Sequence, residues 1–222
     1  MNKKWNLEIT SMSLHMMAMA FMLCDHLWGT IVSGNDWLTC IGRLAYPIFA
    51  FMIVEGYFHT GNLKKYVLRM TLFAVISEIP FNLMMGSSIV YPFHQNVMWT
   101  FLISMGLIWL NEKAKGKPWR EVLTGAGTIL LGYVLGMLLM VDYYGPGVLT
   151  VLVFYFFCQR KWWSYMGQLL CLAYINMEML GGFTYEFTIL GHTFSIARQA
   201  FALLALIPIW LYHGKQGAHN KA

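Results

Sequence analysis

Residues 41–60 read IGRLAYPIFAFMIVEGYFHT, and this stretch decides the fold class. It is predominantly apolar and about as long as an α-helix must be, roughly 20 residues, to cross the hydrocarbon core of a bilayer. The stretch therefore predicts a transmembrane helix. It also contains Arg43, Glu55 and His59, and because charged groups are costly in lipid, each of them needs a partner, water or a function.

The composition of the whole chain agrees with this stretch. Of its 222 residues, 58% are hydrophobic and only 11% are charged, with a mean hydropathy of +0.55. A soluble domain carries roughly 45–50% apolar and about 25% charged residues. The scarcity of charge excludes an ordinary soluble domain, a disordered tail and a nucleic-acid-binding protein, despite a net charge of +5. The lipid bilayer is the solvent that this composition fits.

Breaks at charged residues, Gly, Pro and Asn divide the chain into about eight predicted transmembrane helices. We expect an all-α integral membrane protein with one membrane domain over residues 1–222. The four cysteines lie in apolar segments without paired spacing, so we expect neither a metal site nor a disulfide framework. The predicted helices span about 10–32, 37–59, 65–86, 96–111, 121–141, 145–159, 162–180 and 194–213.

The basic residues predict the orientation of these helices. With the N-terminus inside, 13 of the 15 Lys and Arg residues fall at cytoplasmic ends, and the loops at 33–36, 87–95, 142–144 and 181–193 contain none. We therefore expect a multi-pass protein of the cell membrane with both termini in the cytoplasm. The basic residues at cytoplasmic positions are Lys3, Lys4, Lys64, Lys65, Arg69, Lys113, Lys115, Lys117, Arg120, Arg160, Lys161, Lys215 and Lys221.

Arg43 and Arg198 do not follow this rule, because both lie near the outer ends of predicted helices. A rise of about 1.5 Å per residue brings Asp25 and His26 to a depth similar to that of Arg43, with Glu78 near the middle of its helix. These residues can form one polar cluster in the outer half of the membrane. Asp25 is turned by roughly 100° from His26, so we expect it to pair with Arg43; such a pair could also serve only to tie two helices together.

Two further histidines lie toward the inner ends of the helices. His15 and His26 are eleven residues apart, which is close to three helical turns, so they face the same way about 16 Å apart. Glu55 and His59 share a face at i,i+4 spacing. His15 could equally be a packing histidine, and Glu55 with His59 an interface pair. His26 is the strongest catalytic candidate, because histidine is the usual proton-transfer group near neutral pH.

The sequence resembles the TraX family, whose members are named for the acetylation of the F-pilin N-terminus. The family belongs to a wider superfamily of transmembrane acyltransferases. The resemblance is carried by MAFMLCDHLW, by the block from Gly42 to Met84, by NVMWTF and by LYHGKQG, and is looser over predicted helices five to eight.

The resemblance implies acyl transfer from cytosolic acetyl-CoA to an acceptor on the outer side. It implies that His26 is the catalytic base and that Asp25, Arg43 and Glu78 are supporting catalytic residues. We expect the donor to bind at the inner end, where its phosphates need cationic partners, near Lys64, Lys65 and Arg69 or near the loop from Lys113 to Arg120. The predicted donor-binding residues are His15, Glu55, His59, Lys64 and Arg69.

Several alternatives remain open at this point. His26 could accept the acceptor's proton directly or carry the acetyl group covalently. The acceptor could be a peptide amine, a sugar or a lipid headgroup. A proton-coupled secondary transporter also suits buried Asp, His, Arg and Glu, although no inverted repeat is visible. A non-catalytic assembly protein gives no reason to bury titratable groups.

Overall fold

The computed structural model describes residues 9–32, 34–189 and 192–215. The predictions that rest on Lys3, Lys4 and Lys221, and those on the two chain termini, lie outside the described residues.

The described chain is mostly helical, as predicted. Its helices are α1 (Ser11–Thr30), α2 (Asp36–Gly42), α3 (Ala45–His59), α4 (Leu63–Gly86), α5 (Val97–Ala114), α6 (Pro118–Leu138), α7 (Tyr144–Phe156), α8 (Trp162–Tyr174) and α9 (Leu206–Leu211). A π-helical turn, Ile175–Met179, continues α8, and a 3-10 helix, Arg198–Ala205, leads into α9.

Three helices in the described part are long and apolar enough to cross a membrane: Asp36–His59, which combines α2 and α3, Leu63–Gly86 and Pro118–Leu138. Tyr144–Phe156 and Arg198–Leu211 are apolar but shorter. The helices occupy nearly the predicted positions, whereas a count of eight membrane crossings remains a prediction.

The second predicted helix is interrupted at Arg43 and Leu44, between α2 and α3. Pro47 explains the interruption, because proline has no N–H to donate to the carbonyl four residues earlier, and that carbonyl belongs to Arg43. The break therefore includes Arg43, one of the predicted catalytic residues.

The prediction of an all-α chain is wrong at residues 184–197. Strands β1 (Thr184–Ile189) and β2 (His192–Ala197) pair antiparallel there, with Phe187 opposite Phe194. The last helix accordingly begins at Arg198 rather than near residue 194. The strands alternate polar residues with Tyr185, Phe187, Phe194 and Ile196, and this period of two favours a strand over a helix.

The chain divides into two compact units, Met1–Met52 with Lys161–Ala222, and Ile53–Arg160. We call them the DH unit, after Asp25 and His26, and the central unit. Helix α3 begins in the DH unit and ends in the central unit. The prediction of one membrane domain over residues 1–222 stays a prediction.

Within the central unit, glycines let α6 and α7 approach closely. A Cβ built on Gly136 would lie 2.6 Å from the Tyr144 carbonyl oxygen and 2.7 Å from the Cα of Gly145. Gly125, Thr128 and Gly132 are buried on the same helix. Small residues at such a contact are how membrane helices associate, since lipid supplies no hydrophobic force between them.

Candidate functional site

The predicted pair between Asp25 and Arg43 is confirmed. A terminal nitrogen of Arg43 (Nη2) lies 3.3 Å from Oδ1 of Asp25, and both side chains are about three-quarters buried. The pair joins α1 to the residue that follows α2, both within the DH unit. Removing one partner of a buried pair leaves an uncompensated charge, so the two side chains depend on each other.

Thr39 bridges this pair, and sequence reasoning missed it. Its hydroxyl donates to Asp25 Oδ1 at 2.7 Å and accepts from Arg43 Nη2 at 2.9 Å, and the residue is fully buried. One hydroxyl thereby fixes both the carboxylate and the guanidinium. A threonine in an apolar helix gives no hydropathy signal; its position four residues before Arg43 was the available clue.

At Gly42, the backbone of α2 lies close to Asp25 on α1. A Cβ built on Gly42 would overlap the Asp25 side chain and lie 2.9 Å from the Asp25 Cα. Any larger residue would push the two helices apart. The absence of a side chain at Gly42 is therefore part of what positions Asp25.

His26 is not paired with Asp25. Its Nδ1 lies 2.7 Å from the carbonyl oxygen of Met22, one turn earlier in α1, and its side chain is exposed. Because a carbonyl only accepts, this contact assigns the proton to Nδ1 and leaves Nε2 as the basic nitrogen of the neutral ring. The structure thus presents an oriented imidazole whose acceptor nitrogen is Nε2.

His15 repeats this geometry at the other end of α1. Its Nδ1 lies 3.0 Å from the carbonyl oxygen of Ser11, and the residue is exposed like His26. Both histidines are exposed on one continuous helix, in which Leu14 and Ala18 are buried. This agrees with the shared face predicted from their spacing.

Glu78 belongs to the central unit, whereas Asp25, His26 and Arg43 belong to the DH unit. Its Oε2 accepts hydrogen bonds from the side-chain amide of Asn96 and from Trp99 Nε1, the latter at 2.9 Å. Its Oε1 is buried and has no hydrogen-bond partner among the described residues. A buried carboxylate oxygen without a donor is costly, so the site suits a proton or a donor group from a ligand.

Of the residues predicted to bind the donor, Glu55, His59, Lys64 and Arg69 lie around the α3–α4 junction, whereas His15 lies on α1. His59 Nδ1 bonds the Glu55 carbonyl at 2.9 Å and lies 3.8 Å from the Glu55 carboxylate. Lys64 and Arg69 are exposed on α4, whose start is capped by Asn62. Lys64 also lines an apolar groove of about 460 Å³ between α4 and α5.

Arg198, whose role the sequence left open, closes a second network in the DH unit. It bonds Asp36 at 2.6 Å and lies over the rings of Trp28 and Phe183. Trp28 also donates to Asp36 at 3.2 Å. The network ties the start of α2 to the base of the β-hairpin, and the ion pair with Asp36 gives the positive charge of Arg198 a partner at the predicted outer end.

The family is decided by a match along nearly the whole chain. The sequence model of the TraX family, described as TraX protein, matches residues 11–221. The chain belongs to the TraX family. This membership and the three apolar helices indicate a membrane protein. Asp25, His26, Arg43 and Glu78 all lie within the matched residues.

A curated relative is similar to a shorter part of the chain. The probable fimbrial assembly protein FimC, serogroup H1, of Dichelobacter nodosus is 34% identical over 77 residues. The match covers 33% of this TraX-family chain and 32% of that protein, so the chain spans about a third of the relative's length. No solved structure matches the chain.

Proposed function

We propose that this TraX-family protein is a membrane acetyltransferase that moves an acetyl group from cytosolic acetyl-CoA to an amine or hydroxyl acceptor outside the membrane. The observation that carries the proposal is the geometry of His26 on α1. Its Nδ1 is bound to a backbone carbonyl, and its ring is exposed. The preceding residue, Asp25, forms an ion pair with the guanidinium of Arg43. Such a histidine suits proton or acyl transfer at Nε2.

His26 acts on the reacting atoms in one of two ways. As a general base, Nε2 takes the proton of the acceptor while the acceptor attacks the thioester carbonyl. As a nucleophile, Nε2 takes the acetyl group itself and passes it on in a second step. In both routes the Met22 carbonyl holds the ring orientation.

Arg43 supplies the positive charge of the site. Its guanidinium stabilises the negative charge that develops on the carbonyl oxygen during transfer. Asp25 and Thr39 hold it in place, since both lie within 3.3 Å of Nη2. Asp25 is thus a positioning residue that acts through Arg43, and Glu78 is assigned a supporting role in the central unit.

The proposed binding of the donor, acetyl-CoA, is supported by the charge of the residues near the start of α4 and by the shape of the groove beside it. Lys64 and Arg69 offer cationic partners to the phosphates of CoA, and Glu55 and His59 lie near the end of α3 that precedes them. His15, on α1, stays a predicted donor-binding residue. Apart from Lys64 and Thr71, the groove is lined by apolar residues, which suits the thioester arm. Loss of Lys64 and Arg69 is expected to raise KM for acetyl-CoA more than it lowers kcat.

The acceptor proposed first is a pilin subunit. The family is associated with pilin acetylation, and the relative from Dichelobacter nodosus is named as a fimbrial assembly protein. Acceptors with a free amine and acceptors with only hydroxyls are both consistent with the chemistry of His26. The two are separated by comparing a short peptide with a free α-amine and its N-blocked, serine-containing counterpart.

The test is acetyl transfer by purified protein in liposomes, with CoA thiol release and acetylated peptide measured together. His26→Ala is expected to lower the rate by about 10²–10⁴-fold, the range that a proton-transfer residue contributes. His192→Ala is the matched control, because His192 is an exposed histidine on the hairpin strand β2. Equal rates in wild-type protein and His26→Ala would refute the assignment of His26.

One observation favours a second candidate function. The buried Oε1 of Glu78, which has no hydrogen-bond partner in the described part of the chain, suits a proton carrier of a proton-coupled transporter as well as an acyltransferase. Proton-linked uptake of a small molecule into liposomes, without consumption of acetyl-CoA, would support the transporter and contradict the acetyltransferase.

A further inference from the structure

The β-hairpin of the DH unit has one aromatic face and one polar face. Tyr185 is paired with Ile196, and Phe187 with Phe194. Because successive residues of a strand point to opposite sides, these four side chains share one face, which we call the aromatic face. The ring of Phe187 stacks on Phe194 at 5.7 Å and lies 6.2 Å from the ring of Tyr185. The opposite face, which we call the polar face, consists of Ala197 and five polar residues, Thr184, Glu186, Thr188, Thr193 and Ser195.

The aromatic face stays partly exposed within the DH unit. Phe194 is 50% exposed and Ile196 is 41% exposed, whereas Tyr185 meets the ring of Phe201 edge-on at 6.4 Å. A contiguous apolar face is unfavourable in water, and a two-stranded hairpin is only marginally stable there without something to pack on. The aromatic face therefore needs an apolar partner.

The backbone of the hairpin does not fit the hydrocarbon core of a membrane. Among the described residues the sheet has two strands, so the outer edge of each strand has N–H and C=O groups that face no neighbouring strand. Such groups need water or lipid headgroups, because hydrocarbon offers no hydrogen bonds. The exposed carboxylate of Glu186 on the polar face has the same requirement. The boundary between water and hydrocarbon meets the needs of both faces.

The base of the hairpin is fixed to the end of an apolar span. The span Asp36–His59 begins at Asp36, and Arg198 bonds this carboxylate at 2.6 Å. Arg198 also donates its Nε to the carbonyl of Thr184 at 3.1 Å and its backbone N–H to the carbonyl of Phe183 at 2.9 Å. The hairpin therefore begins at the level where this span leaves the hydrocarbon.

Further aromatic residues surround the base of the hairpin. Trp37, next to Asp36, is 51% exposed, and Phe183, just before β1, is 77% exposed. Trp28 donates its Nε1 to Asp36 at 3.2 Å. Trp and Tyr collect at membrane–water interfaces, where the ring lies in the apolar layer and the polar atom in the wet one. The positions of Trp28, Trp37 and Tyr185 therefore indicate an interfacial belt at this end of the span.

We propose that the hairpin lies on the membrane surface, with the aromatic face inserted among the lipid headgroups and the polar face in water. The partner is the neutral interface of a phospholipid leaflet. Residues 181–197 contain no Lys or Arg to bind anionic headgroups and a single acidic residue, Glu186, so the burial of the aromatic side chains provides the attraction. The predicted orientation of the helices places this contact at the outer leaflet. The contact does not depend on acetyl transfer.

The two faces can be compared at adjacent residues of β2. Phe194→Cys places a thiol on the aromatic face and Ser195→Cys places one on the polar face, each in a protein whose four native cysteines are replaced by serine. Each thiol is labelled with the fluorophore nitrobenzoxadiazole, and the protein is reconstituted into phosphatidylcholine vesicles. Quenching is then measured with doxyl groups on the lipid chains, and separately with iodide on both sides of the vesicle membrane.

The label at residue 194 is expected to emit at a shorter wavelength than the label at residue 195, because its surroundings are less polar. Doxyl groups should quench the label at 194, and iodide should not reach it. A doxyl group near the headgroup should quench it more than one at the end of the lipid chain, since interfacial elements enter only about 5–10 Å into the boundary. The label at 195 should respond to iodide and not to doxyl groups.

A second pair of positions excludes an effect of the label at one site. Ile196→Cys on the aromatic face should behave like Phe194→Cys, and Thr188→Cys on the polar face should behave like Ser195→Cys. Thermal unfolding of the labelled proteins near the wild-type temperature verifies that the fold is kept. Adding phosphatidylglycerol should leave the doxyl quenching unchanged; quenching that requires this anionic lipid would overturn the assignment to a neutral interface.

Two further results would overturn the inference. Equal access of iodide to labels on both faces would mean that the hairpin stands in water. A label at residue 194 that neither iodide nor doxyl groups reach would mean that protein covers the aromatic face, either another segment or a second copy of the chain. Acetyl transfer by the same protein is measured separately, so loss of the membrane contact is distinct from failure of the proposed function.

Discussion

Two adjacent residues, Asp25 and His26, have separate roles because a helix turns by about 100° per residue. Asp25 faces α2, where Thr39 and Arg43 bind it, while His26 faces outward and bonds its own helix at Met22. The carboxylate therefore fixes the guanidinium and not the imidazole. A substitution of Asp25 is expected to act through Arg43.

Thr39→Val tests this arrangement at the residue scale. Valine keeps the shape of threonine but removes the hydroxyl that joins Asp25 to Arg43, which leaves a buried acceptor and donor without that partner. The expected cost is about 1–3 kcal/mol, seen as a lower temperature of unfolding in detergent and a lower rate of acetyl transfer. Thr39→Ser, which keeps the hydroxyl, should stay near wild type on both measurements; equal behaviour of the two variants would contradict the bridge.

At the scale of elements, the site depends on how closely α1 approaches α2. Gly42→Ala adds a methyl group into the space that Asp25 occupies, so the helices must separate. We expect a loss of about 1–3 kcal/mol, as for an overpacked core, together with a loss of acetyl transfer.

Gly29→Ala is the matched control for Gly42→Ala. A Cβ on Gly29, near the end of α1, meets nothing within 4 Å, so this variant should keep wild-type stability and activity. Thermal unfolding and transfer assays of the two variants measure the difference. If Gly42→Ala proves as stable and active as Gly29→Ala, the close approach does not position Asp25.

The bounds of a helix could be predicted where the sequence has residues that typically begin and end helices. α4 runs from Leu63 to Gly86, against a prediction of 65–86, because Asn62 and Gly86 mark its ends. The hairpin was missed because its two short apolar runs were assigned to a loop and to the start of a helix. Periodicity alone does not separate a short strand from a short buried helix segment.

The candidate site was predictable only for its charged members. Asp25 and Arg43 could be identified because charged residues are costly in lipid, and their pairing was predicted from their depth and helical phase. Thr39 and Asn96 carry no such signal. Sequence pattern reports local periodicity, whereas the contacts of these two residues depend on tertiary packing.

At the scale of the whole molecule, charge is distributed for two purposes. Most basic residues lie in the segments predicted to face the cytoplasm, while Arg43 and Arg198 are each bound to a carboxylate within the DH unit. The two arginines that topology does not explain are thus explained by ion pairs. Orientation and site chemistry are in this way assigned to different residues.

The predicted orientation can be tested by labelling two single cysteines. Ser88→Cys and Lys117→Cys place a thiol in exposed loops that follow α4 and α5, each in a protein whose four native cysteines are replaced by serine. The basic residues around Lys117 should keep that loop in the cytoplasm, and the loop at Ser88 contains no Lys or Arg. A membrane-impermeant maleimide should therefore label Ser88→Cys in intact cells and Lys117→Cys only after permeabilisation. The reverse pattern would invert the topology and put the donor end, at Lys64 and Arg69, on the side that lacks acetyl-CoA; labelling of both in intact cells would remove the crossing between them.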